Sequence, residues 1–165
     1  MQITSKFTIA VHIITCIEFF KNDYKITSSF LAGSIGANPV IVRNIMGDLK
    51  NAGIISISQG KSGIELARPI EKITFFDVYK AVDCVGNEGL FHFHENPNMK
   101  CPVGRNIHAV LGKRLEKIQD SMEKEMKKIN MAMIVSDIET RTIKWHNPKA
   151  VLPVWTTVKP LPTKQ

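Results

Sequence analysis

Residues 27–68, TSSFLAGSIGANPVIVRNIMGDLKNAGIISISQGKSGIELAR, decide the fold. Thr27 and Ser28 place hydroxyl oxygens ahead of the apolar run Phe30-Leu31-Ala32, where they accept from the free N–H groups of a short helix reaching about Ser34. Gly36-Ala37 makes a tight turn. Asn38 is then an N-cap, and Pro39 suits the first helical position because its missing N–H would be unpaired there. Ile41, Ile45 and Leu49 step by four and are expected to form the buried stripe of this next helix. It stops at Asn51-Ala52-Gly53, where Gly53 can take the left-handed conformation. Residues 54–58 favour extended chain, 59–63 turn, and Ile64-Glu65-Leu66 return. Helix, turn, helix, strand, loop, strand is a winged helix-turn-helix, a layout that presents the first turn of its second helix to a groove of DNA.

That turn offers Asn38, Pro39, Val40, Arg43 and Asn44. Arg43 can grip guanine through two parallel hydrogen bonds, Asn44 can pair with adenine, and Val40 can touch a thymine methyl. Ser28 and Ser29, with Lys6, are expected to hold phosphate, which fixes position without reading sequence. Gln59, Lys61 and Ser62 at the wing tip would lie over the minor groove. Each residue also has a plainer role: Asn38 caps its helix whatever that helix touches, and Arg43 is a solvated charge on any surface.

Working outward, Phe7, Ala10, Val11, Ile14, Ile17 and Phe20 draw one face of a first helix from about Thr4 to Phe20. Thr, His and Glu interrupt its apolar middle, which reads as an amphipathic helix and not as a signal segment. A fourth helix is expected from Thr74 to Cys84, capped by Thr74 with Asp77 three residues on. Beyond a Gly-, Asn- and His-rich loop, Ile107, Leu111, Leu115, Ile118, Met122, Met126, Ile129 and Met133 mark one continuous stripe on a helix of about 28 residues, roughly 42 Å long. Such a stripe outruns its own head and calls for a second copy, so a homodimer is expected. After Asp137 the pattern fades, and Pro148, Pro153, Pro160 and Pro162 rule out helix over the last stretch. That tail either lies over the domain or partner subunit, or reaches DNA as a basic arm. The organisation is therefore mainly α with a small β wing: a winged head over 1–84, loop and long dimerisation helix over 85–140, and a basic Pro-containing tail over 141–165.

The chain of 165 residues carries a formal charge of +7. Residues 1–70 hold seven Lys/Arg against four Asp/Glu, residues 71–140 ten against eleven, and residues 141–165 five against none. Much of the excess thus sits in the tail, and charge alone supports a nucleic-acid partner only weakly. Three cysteines, Cys16, Cys84 and Cys101, are too few and scattered for a disulfide scaffold and fit a cytoplasmic protein. No run approaches the roughly 20 apolar residues of a membrane span. An enzyme is a competing class, with Cys101 and His94 or His108 as nucleophile and base; against it there is no sign of paired carboxylates or an oxyanion site, and Gly60-Lys61-Ser62 lacks the glycine spacing of a phosphate loop, so no enzyme is expected.

The runs LAGSIGANPVIVRNIMGDLKNAGIISISQGKSGIELARP, ITFFDVYKAVD and CPVG, with the opening ITSK and the segment LFHFHENPNMKCPVG, resemble the BadM/Rrf-two family of bacterial transcriptional regulators over about residues 3 to 140. The resemblance implies a homodimer joined through the long helix, two winged heads, and a palindromic operator near a promoter, most often bound as a repressor. Well-studied members hold an iron–sulfur cluster on three cysteines in the loop before the long helix. Here only Cys101 lies in that region, with Cys84 at the end of the preceding helix and Cys16 in the first, so no metal or cofactor is expected. The wing departs too, with Gln59-Gly60-Lys61-Ser62-Gly63 where many members carry Arg or a Gly-rich run.

Cys101 precedes Pro102 at the start of the long helix, where free N–H groups favour a thiolate. It is either a plain cap or a redox sensor whose oxidation tilts the helix. His92, His94, Cys101 and His108 offer soft metal donors at a spacing that matches no strong metal motif. The competing readings are thus a redox- or metal-responsive sensor and a winged-helix module that binds protein instead of DNA. The operator, the genes controlled and any small-molecule effector are not written in the sequence.

Overall fold

The first helix is the hub around which the rest assembles. In the computed structural model, which describes residues 5–58, 63–82 and 90–144, α1 spans Ser5–Phe20 and touches α2 (Ser28–Ile35), α3 (Pro39–Asn51), α4 (Phe75–Ala81) and α6 (Met131–Lys144). Its expected face explains only part of this. Ala10, Ile14 and Ile17 are buried and Phe7, Val11 and Phe20 half-buried, but Ile13, Thr15 and Cys16 on the other side are buried as well. Thr15 tolerates the core because its hydroxyl donates to the Val11 carbonyl oxygen at 2.8 Å. Rings extend the packing, with Phe20 edge-on to Phe30 at 5.3 Å and Phe7 edge-on to Phe75 at 5.4 Å. Ile13, Ile14, Ile17, Phe30, Leu31, Ile45 and Leu49 are almost wholly removed from water. Each contributes about 1.5–3 kcal/mol of burial.

After α3 the chain enters β1 (Ile55–Ile57), which pairs antiparallel with β2 (Ile64–Leu66), Ser56 standing opposite Glu65. The expected wing tip, Gln59, Lys61 and Ser62, lies outside the described residues, as do Cys84 and the tail from 145 onward. A single 3₁₀ turn (Ile70–Lys72) leads to α4. The expected cap is present there: Thr74 Oγ1 accepts from the Asp77 N–H at 3.2 Å, and Asp77 Oδ2 accepts from the Thr74 N–H at 2.7 Å.

The long stripe is where the structure corrects the sequence. It is divided between α5 (Pro102–Lys128) and α6, with a break at Ile129-Asn130. There the Phe75 N–H donates to the Ile129 carbonyl oxygen at 2.9 Å, and the Met131 N–H donates to the Ile73 carbonyl oxygen at 2.8 Å. Asn130 Oδ1 accepts from the Met133 N–H at 3.1 Å, so the asparagine starts a new helix. Met131 and Val135 then turn into the head core, while Met133, expected on the stripe, is 52 % exposed. Helix also continues past Asp137 to Lys144, beyond the point where the pattern fades.

Candidate nucleic-acid interface

Local hydrogen bonds mark where the two motif helices start and stop. Thr27 Oγ1 accepts from the Phe30 N–H at 3.1 Å and starts α2. Gly36, at φ +68°, ends it, and the N–H groups of Gly36 and Ala37 both donate to the Ala32 carbonyl oxygen. This left-handed position suits glycine and sets the angle at which α3 leaves. Asn38 Oδ1 accepts from the Val40 N–H at 2.8 Å, with Pro39 in the first turn. At the far end Gly53, at φ +65°, closes α3 as expected.

The inward face of α3 is Val42, Ile45, Met46 and Leu49. Ile41, expected in that stripe, is instead 47 % exposed beside Val40 at 53 %. The reason is rotational: one residue turns the helix by about 100°, and Val42 takes the inward place. Asn38, Pro39, Arg43 and Asn44 are exposed with them, so the leading turn of α3 faces outward as a unit.

An open groove of about 480 Å³ runs beside it, lined among others by Thr27, Ser28, Arg43, Met46, Ile57 and Gly63. It brings Arg43 and Ser28, assigned to base and phosphate, together with the base of the wing. Ser29 and Lys6 are exposed but do not line this groove. Met46, Gly47 and Ile57 border the groove without having been singled out in the sequence. Ile57, 39 % exposed at the end of β1, was the one with a visible signal, as an apolar residue next to a polar turn.

The described cysteines and histidines lie in separate parts of the molecule, the head and the region around the start of α5. Cys16 Sγ lies 3.3 Å from Ser34 Oγ, and His12 Nε2 lies 3.2 Å from the same oxygen. Burial pushes the Cys16 thiol up, partly offset by the Ser34 hydrogen bond, and burial holds His12 below its ordinary value. Cys101 stands at the start of α5, facing the N–H groups of Gly104 and Val103, which hold its thiol below the usual range. Gly104 is there for space: a Cβ would meet the Asn98 carbonyl oxygen at 2.5 Å. His94 and His108 meet edge-on with ring centres 4.9 Å apart, and Phe93 tilts against His108 at 4.9 Å. Cys101 is not gathered with them, and among the described residues no three His, Cys, Asp or Glu side chains gather as metal donors.

The profile described as Rrf2, iron-dependent transcriptional regulator, matches residues 3–137. The chain belongs to the Rrf2 family. It is 38 % identical over 125 residues to YwnA of Bacillus subtilis (strain 168), provisionally an HTH-type transcriptional regulator, covering 76 % of this chain and 90 % of that one. A solved structure of a provisional DNA-binding protein is 30 % identical, with a TM-score of 0.64 over 79 % of this chain and 98 % of that one. The global cysteine regulator CymR of B. subtilis shares the fold at 14 % identity, TM-score 0.61, over 82 % of this chain and 97 % of that one. As a member of the Rrf2 family, the chain is a transcription regulator with a winged head of the DNA-binding kind. Iron fits the described residues poorly. Cys16 sits in the head core and Cys101 at the start of α5, and among the described residues neither belongs to a group of three metal donors. No helix among the described residues is long and apolar enough to cross a membrane.

Proposed function

We propose that this Rrf2-family chain is a sequence-specific DNA-binding regulator that acts as a homodimeric repressor on a palindromic operator. One observation carries the reading: Asn38 to Ile41, with Arg43 and Asn44, are exposed at the start of α3 while Val42 alone turns into the core, beside a groove shared by Ser28, Arg43 and the base of the wing. A helix so placed enters the major groove while its neighbours hold the phosphates. Arg43 and Asn44 read base edges, Asn38 offers its amide N–H₂, and Ser28, Ser29 and Lys6 hold the backbone. The wing tip, with Gln59, Lys61 and Ser62, takes the minor groove.

The dimer is supported by α5. None of its 27 residues is fully buried, and Val103, Val110 and Ile118 are 68, 48 and 52 % exposed. Ile107, Leu111 and Leu115 are half-buried alongside them. The lower stripe residues, Met122 and Met126, pack against the chain's own head, and Ile129 ends the helix, so the partner is met mainly by the upper part. Two heads joined this way call for two half-sites, and a dimer seated across a promoter blocks transcription. Cys101, at the far end of the same helix, is the thiol through which an oxidant would act.

Selection of duplexes from a random pool, with and without oxidant, tests the reading. A palindromic site should emerge, with affinity falling steeply as salt rises. Arg43→Ala should cost about 1–3 kcal/mol on that site and relax base preference. Failure to bind any duplex at low ionic strength would end the proposal.

A further inference from the structure

We infer that Val40 and Ile41 together read the C5-methyl group of a pyrimidine in the major groove, making operator choice depend on that methyl. The inference rests on α3 being the reading helix and adds the chemistry that its leading turn selects. Two adjacent β-branched aliphatics stand about half exposed there, although Val42, Ile45, Met46 and Leu49 already fill the inward face. Their apolar surface is therefore not spent on the head's own core. Within the first turn, residues 38–41, Asn38 is the single polar side chain, Arg43 and Asn44 following in the next turn. The Asn38 side-chain oxygen is occupied by the Val40 N–H, and Pro39 has neither an N–H nor a polar side chain.

In that first turn the capping bond points the Asn38 oxygen back at its own helix, which leaves Val40 and Ile41 as exposed, unengaged surface. What it can recognise is the one apolar feature of the major groove, the pyrimidine methyl. Arg43 lies two residues beyond Ile41, about 200° around the helix, and borders the groove beside the wing. Ile41 and Arg43 therefore leave the helix in different directions. Thymine carries this methyl, and so does 5-methylcytosine; the chemistry of recognition is the same.

The test uses the intact protein and the duplex chosen from a random pool. Replacing thymine by 2′-deoxyuridine at each position beneath the turn removes the methyl and leaves every hydrogen-bonding group in place. Binding should weaken about fourfold per methyl, the equivalent of one buried methylene. The double variant Val40→Ala, Ile41→Ala should lose a similar factor on the thymine duplex and be indifferent to the exchange. If the selected positions hold cytosine instead, C5 methylation should strengthen binding of the parent protein by that factor, which identifies the modified base as the source. Equal binding of methylated and unmethylated duplexes overturns the inference. So does unchanged affinity in the double variant, which would leave the pair as a protein-docking patch. Where a site is selected and depends on Arg43 but ignores the methyl, only this inference falls; where no duplex binds, the reading beneath it falls as well.

Discussion

The winged head and α5 are built from similar residue types but stand in opposite states. In the head, Ile13, Ile14, Leu31, Ile45 and Leu49 meet one another across three helices and leave almost nothing for water. Along α5, Val103, Val110 and Ile118 stay about half exposed or more, with none of the described residues covering them. The neighbouring loop occupies a different strip of that helix: the Leu90 N–H donates to Gln119 Oε1 at 3.0 Å, and Phe93 reaches Gly112 and His108. The head is thus covered from within, whereas the upper part of α5 leaves apolar side chains open, Met122 and Met126 lower down packing on the head. A substitution that costs folding energy in one region should cost association in the other.

The sharpest way to break that contrast is Leu49→Ala. It empties a fully buried site in α3 and should lower unfolding free energy by about 2–5 kcal/mol in denaturant titration, with the midpoint shifting accordingly. A loss below 1 kcal/mol would mean the head core is looser than its burial implies.

Ile118→Lys probes the other side. The residue is exposed in the single chain, so the denaturation midpoint measured on dilute monomer should hardly move. Self-association followed by sedimentation should weaken at least tenfold (about 1.4 kcal/mol), because the partner would bury an unpaired charge. An unaltered sedimentation profile would show that this face is not where two copies meet.

The smallest expected effect sharpens the comparison within the head. His12 is held below 6.5 by burial, where it faces Ser34 and, through it, Cys16. As pH falls through 6.5 the unfolded chain takes up its proton first, so folding weakens between that value and the lower native one. The contribution should be absent above this window, and His12→Gln should flatten the slope in denaturation midpoints taken across it. A parent slope unchanged by the substitution would assign the titration elsewhere.

The caps at Thr27, Asn38 and Thr74 were legible in the sequence because each is a conversation between a side chain and backbone two or three residues away. Gly36 and Gly53 were legible for the same local reason. Ile41 was not. A stripe through residues 41, 45 and 49 and one through 42, 45 and 49 share two members, and only the packing of α1 and α2 selects between them. The long stripe failed differently. Its spacing stays helical across Ile129-Asn130, and the break comes from backbone partners at Ile73 and Phe75, more than fifty residues earlier in the chain. Asn130 ahead of Met131 did carry a local capping signal, outweighed by the run of apolar spacing around it. Of the interface, the leading turn of α3 and the nearby serine were readable, while the groove joining them to Ile57 depends on how the wing folds back.

The joint at Ile129-Asn130 has an implication for how this molecule tolerates change. Its two anchoring bonds run between main-chain atoms, Phe75 to Ile129 and Met131 to Ile73, and no side-chain replacement deletes either partner unless it introduces proline at a donor position. Mutation can therefore repaint the surface of the rod from Pro102 to Lys128 while the angle at which it meets the globule is conserved by geometry that the genetic code barely touches.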